Sequence, residues 1–78
     1  MSQKQFLTEQ NLAAVAMRFR KQAKKTRAQV ARDMGVAQTS IFHAEESPEQ
    51  RLVKLRVRMI EAYSPYRVCG PVYLLKTK

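Results

Sequence analysis

The chain has two glycines in 78 residues, and one of them, Gly35, stands between two short helix-forming runs, "TRAQVARDM" before it and "QTSIFHAE" shortly after it. Glycine ends the first run there, because a residue without a Cβ takes up the left-handed conformation that closes a helix at no steric cost. A turn of three or four residues joins the two helices, and helices joined so tightly cross steeply. The second is held proud of the surface, with Ile41 and Ala44 on its inner face and Gln38, Thr39, Phe42 and His43 on its outer one.

Apolar spacing extends the helical pattern in both directions. Leu12, Val15, Ala16, Phe19 and Ala23 recur at helical intervals, while Arg18, Lys21, Lys24 and Lys25 fall elsewhere on the wheel. Thr8 is placed to cap this first helix, and Glu9 suits the positive end of its dipole. A second helix starts near Thr26 and carries Val30, Ala31 and Met34 inward; a third runs from about Gln38 to Glu45. "SPEQ", Ser47 to Gln50, has the form of a capping box with proline at the first helical position, so a fourth helix is expected to begin there. Leu52, Leu55, Met59, Ile60 and Tyr63 form its apolar stripe, with Arg51, Lys54, Arg56 and Arg58 mostly outside, and Ser64-Pro65 ends it.

The tail from Tyr66 changes character, with Tyr66, Val68, Val72, Tyr73, Leu74 and Leu75 as strand formers interrupted by Gly70-Pro71. One or two short strands are expected. The organisation is therefore mainly α, with four to five helices and a short C-terminal strand or hairpin: residues 1–7 as a loose or weakly extended arm, 8–64 as the helical domain and 65–78 as a β segment.

Charge narrows what such a domain meets. Fifteen Lys and Arg against six Asp and Glu give a formal charge of +9, which draws the chain to polyanions, nucleic acid before anionic membrane. No apolar run approaches a membrane span and the N-terminus lacks a signal-peptide core, so a cytoplasmic, nucleoid-associated location is expected, with no membrane partner. One cysteine and one histidine cannot build a structural zinc site. No Gly-rich phosphate loop or paired catalytic carboxylates occur, so neither an enzyme, a cofactor, a metal nor a small-molecule ligand is expected. Met17, Met34 and Met59 read as core filler, Cys69 as a small hydrophobe and His43 as a surface polar group without catalytic partners.

A helix held proud after a tight turn fits the major groove of DNA. Gln38, Thr39, Phe42 and His43 would then face base edges, while Arg27, Lys24, Lys25 and Ser40 would face phosphates.

The stretch "RAQVARDMGVAQTSIFHAE", Arg27 to Glu45, resembles the helix-turn-helix of the Cro and C1 phage-repressor class, and "RDMGVAQTSI" is similar to the lambda Cro branch of it. The match covers about a quarter of the chain. It implies a lambda-repressor-like fold in which Ala31 is small where the helices cross, Gly35 makes the turn, and Val36 and Ile41 anchor the pair. It also implies an ion pair between Glu45 and Arg20 of the first helix. Arg27 stands where many members carry a phosphate-touching glutamine, and Phe42 where a polar reader is common; Phe42 would contact a thymine methyl or pack inward.

What the class implies about function is a sequence-specific regulator, most simply a repressor, binding an inverted-repeat operator in double-stranded DNA as a homodimer. A strand bearing Val72, Tyr73, Leu74 and Leu75 with Val68 is a hazard if its edge stays unpaired, so this segment is the expected dimer interface. Two other classes stay open: a basic protein that binds nucleic acid without sequence preference, and an antitoxin-type interaction module.

Overall fold

The structure, a computed structural model, describes residues 6–69 and 73–78. Its first helix begins where Thr8 supplies a cap. The Thr8 hydroxyl accepts the Asn11 amide at 3.2 Å and the Asn11 side chain accepts the Thr8 amide at 3.3 Å, a reciprocal pair that satisfies two otherwise orphaned donors. The elements that follow are β1 (Phe6–Leu7) ahead of that cap, α1 (Glu9–Gln22), α2 (Arg27–Met34), α3 (Gln38–Glu46), α4 (Val53–Ala62), β2 (Tyr66–Cys69) and β3 (Tyr73–Thr77). The protein is mainly helical with a C-terminal antiparallel hairpin. Among the described residues, no helix is long and apolar enough to cross a membrane.

The core lies where all four helices meet the sheet. Leu12, Ala16 and Phe19 of α1, Val30 and Ala31 of α2, Ile41 and Ala44 of α3, Met59 and Ile60 of α4, and Leu75 of β3 are buried together. Met34, Val36, Leu52, Leu55, Tyr63, Tyr66 and Val68 pack against them from half-buried positions. Ala23, which continues the apolar spacing of α1 in the sequence, lies beyond the helix end and is exposed.

Helices α1 and α2 end in the same turn. In each, an amide shortly past the helix bonds back five residues, Lys25 to the Arg20 carbonyl at 3.2 Å and Val36 to the Ala31 carbonyl at 3.0 Å. The residue between must be left-handed. In the second turn it is Gly35, at φ 71°, but in the first it is Lys24, at φ 60°.

The fourth helix departs from its expected start. Ser47-Pro48 does not open a helix: residues 48–50 form a turn and α4 begins at Val53, with no side-chain cap. Arg56, expected outside, is instead fully buried and bonded to this connection. Were α3 to continue, the Ala44 carbonyl would accept the amide of residue 48, and proline has none. Arg56 Nε donates to that carbonyl at 2.8 Å, while Nη2 and Nη1 donate to the carbonyls of Ser47 and Gln50, each at 2.8 Å. One guanidinium thus holds the whole connection, and its carbonyls face inward rather than along a helix axis.

The three strands order β1-β3-β2, all antiparallel, so β3 is central. Phe6 and Leu7 pair with Leu74 and Tyr73, and Tyr66 to Cys69 pair with Thr77 to Leu74. Residues 6 and 7 of the expected loose or weakly extended arm are therefore a paired strand; residues 1–5 lie outside the described residues, as does Val72. The outward amides of β2 are occupied within the chain: Tyr66 donates to the Ser64 hydroxyl at 3.1 Å and Val68 to the Glu61 carboxylate at 3.0 Å. Leu75, expected at a dimer interface, is 5% exposed and belongs to the core of its own chain.

Candidate nucleic-acid interface

Thr26 fixes where α2 starts. Its hydroxyl accepts the Gln29 amide at 3.1 Å, and the Gln29 side chain accepts the Thr26 amide at 2.8 Å. After the eight residues of α2 Gly35 turns the chain, Ala37 precedes α3 without a side-chain cap, and Ile41 and Ala44 hold α3 to the core. That leaves Gln38 and Thr39 exposed at the first turn of α3, with Phe42 one turn on at 44% exposure, the exposed large hydrophobic of the described chain. Ser40 is half-buried.

His43 is less available than its helical position implies. It is half-buried, and its Nδ1 lies 3.1 Å from the Ser47 hydroxyl and 3.4 Å from the Gln50 side-chain nitrogen, so the ring is drawn toward the turn after α3. Its other contact is an edge-on one with Phe42, centroids 5.4 Å apart.

Behind α3 sits a buried ionic cluster. Arg20 reaches Glu45 through two bonds, Nε to Oε2 at 2.5 Å and Nη2 to Oε1 at 3.0 Å, and gives Nη1 to the Lys25 carbonyl at 2.8 Å. A fork of this kind ties α1 both to α3 and to the turn before α2. Arg27, expected to face phosphate, joins the cluster instead: its Nε donates to Glu45 at 2.9 Å and its Nη2 to Glu46 at 2.7 Å, with the guanidinium 5.1 Å from the Phe42 ring centre. The bonded Glu45 carboxylate, ahead of Glu46, holds the Arg27 guanidinium above its ordinary range despite the opposing effect of burial. The distance from α2 to the end of α3 hid this in the sequence.

Two cationic surfaces flank α3. On one side Arg20, Lys21, Lys24, Lys25, Thr26 and Arg27 line an open hollow of about 500 Å³. Lys24 stands there in a left-handed conformation that costs a non-glycine residue roughly 1–2 kcal/mol. Backbone strain of this kind gathers at functional positions. Lys25 is 3.8 Å from Asp33, which also accepts the Tyr63 hydroxyl at 2.6 Å. Lys21 was not expected in the set.

On the other side Arg51, Lys54 and Arg58 rim a groove of about 680 Å³ floored by Val36, Leu52, Val53 and Leu55, with Ser40 at its edge. Arg58 also donates to the Met34 carbonyl at 2.9 Å, closing the end of α2. Part of the signal for this second surface is present in the sequence as positions 54 and 58, four apart on one face of α4, while Arg51 lies in the connection before that helix. No group of three metal-ligating side chains is found among the described residues.

Searches against family models, curated proteins and solved structures return no match to this chain.

Proposed function

We propose that the chain is a Cro/C1-type helix-turn-helix protein that binds double-stranded DNA sequence-specifically and regulates transcription, most simply as a repressor in the host cytoplasm. The observation that carries this is one arrangement: α3 exposes Gln38, Thr39 and Phe42, its Ser40 edges a groove rimmed by Arg51, Lys54 and Arg58, and its Glu45 and Glu46 pair with Arg27 of a hollow that Lys21, Lys24 and Lys25 also line. Cationic surfaces adjoining a helix suit the phosphate strands that border a major groove, and its exposed polar side chains suit base edges. Phe42 offers its face to a thymine methyl, and His43 contributes its free ring edge at most.

The homodimer is part of the same proposal, since an inverted repeat needs two copies with their reading helices about 34 Å apart. Leu75 and the outer amides of β2 are already engaged, so a second copy would join on the β1 side of the sheet. Footprinting on the DNA flanking the gene tests the reading: protection of a short inverted repeat is expected, and uniform binding without a footprint would leave a nonspecific binder.

A further inference from the structure

We infer that Glu46 is an electrostatic gate on Arg27, holding that arginine off the DNA backbone so that contacts elsewhere decide binding. The inference rests on the DNA-binding reading above.

The two carboxylates on Arg27 are not equivalent. Glu45 has a fully buried side chain and is already paired with Arg20, so it belongs to the fold. Glu46 has a side chain 44% exposed, and its ion pair is with Arg27 alone among the described residues. An exposed pair of this kind contributes little to stability, because water and salt screen it. Its effect falls on Arg27. With Nη2 on Glu46, Nε on Glu45 and the guanidinium over Phe42, the arginine lies folded along α3, its charge matched at 2.7 and 2.9 Å.

Arg27 is only 27% exposed at its side chain, yet it borders the cationic hollow beside Lys24 and Lys25. A phosphate arriving there either takes Nη2 from Glu46, exchanging one charge-assisted bond for another, or bonds to Nη1, and in both cases a carboxylate stays next to the phosphate. The exchange yields little net affinity. Without Glu46 the same nitrogen would be open to phosphate, and phosphate contacts raise affinity for every sequence alike.

The test compares Glu46→Gln with Glu49→Gln, which removes the same charge from the exposed turn after α3, using a random-sequence 20-base-pair duplex over a salt series. Glu46→Gln is expected to bind about tenfold more tightly and to steepen the salt dependence by about 0.9, one more phosphate contact, whereas Glu49→Gln leaves the slope unchanged. Adding Arg27→Gln to Glu46→Gln should return the slope to the wild-type value. If Glu46→Gln and Glu49→Gln behave alike, or the slope does not move, Glu46 does not gate Arg27 although the protein binds DNA. If the wild-type chain binds no duplex at low salt, the DNA-binding reading itself fails and the gate with it. Thermal melts of each variant confirm that the comparison is between folded proteins.

Discussion

Arg56 Nε donates to the carbonyl oxygen of Ala44 at 2.8 Å, supplying the hydrogen bond that Pro48 cannot. The other two arms of the same guanidinium hold Ser47 and Gln50, so the connection between α3 and α4 depends on a charge with no exposed surface. Replacing it with a side chain of similar length but no donors, Arg56→Met, should lower stability by about 2–4 kcal/mol, as buried carbonyls lose charged partners. Arg56→Lys should fall between, since one ammonium cannot span three carbonyls. Urea unfolding of the three proteins measures this, and equal midpoints would show the carbonyls are satisfied some other way.

Lys24 and Gly35 make the same left-handed turn with different residues, which leads to opposite expectations. Gly35→Ala should cost about 1 kcal/mol from backbone strain alone, because an added Cβ would meet nothing within 4 Å. Lys24→Gly should instead raise stability by about 0.5–1 kcal/mol while weakening duplex binding, since it relieves strain and removes a cation from the hollow. A Lys24→Gly protein that is more stable and binds DNA as well as wild type would show that the strained lysine has no binding role.

Glu45 joins three helices through Arg20 and Arg27. Glu45→Ala leaves the buried Arg20 guanidinium uncompensated, for which a loss of about 3–5 kcal/mol is expected. Calorimetric melting checks it. A loss below 1 kcal/mol would mean that water or the Lys25 carbonyl suffices for Arg20.

Burial and the Asp33 carboxylate push the Tyr63 hydroxyl up to about 12 from its usual 10. A raised acid pKa means the fold favours the protonated phenol, so this contribution is complete below pH 10 and is lost as pH rises from about 10 to 12. Spectrophotometric titration should find one of the three tyrosines ionising near 12. Tyr63→Phe should remove that step and flatten the fall in stability across the same window; a late step that survives the substitution belongs to another tyrosine.

Gln38→Ala and Thr39→Ala should each weaken binding to the cognate repeat by about 1–3 kcal/mol and leave binding to random DNA nearly unchanged. Lys54→Ala, on the rim beside Ser40, should act the other way, weakening all sequences and lowering the salt slope by about one unit. Titrations on cognate and scrambled duplexes separate the two patterns. Equal losses on both from Thr39→Ala would remove it from base reading.

The local elements were legible because their causes are local. Thr8 and Thr26 cap helices through partners three residues away, Gly35 closes α2 by its own backbone freedom, and the spacing of Leu12, Ala16 and Phe19 is that of one helical face. The resemblance in the Arg27 to Glu45 stretch pointed to Arg20 as the partner of Glu45, and that pair is present. Arg56 was misplaced although it shares the stripe of Leu52, Met59, Ile60 and Tyr63. A charged side chain on an apolar stripe turns inward only if unpaired carbonyls lie within its reach, and their presence follows from Pro48 and the path of the turn.

By itself, then, the sequence determined the four helices, the turn between α2 and α3, the exposure of Gln38, Thr39 and Phe42 on α3 and the strongly basic composition, all set by interactions within a few residues or by composition. Only the tertiary structure decided that Phe6 and Leu7 pair with Leu74 and Tyr73, that Leu75 is core, and that Arg27 turns to Glu45 and Glu46. The physical reason is common to the three. Strand partners and ion-pair partners are chosen by which groups the packed helices bring within hydrogen-bond distance, and these lie 18 or more residues apart along the chain.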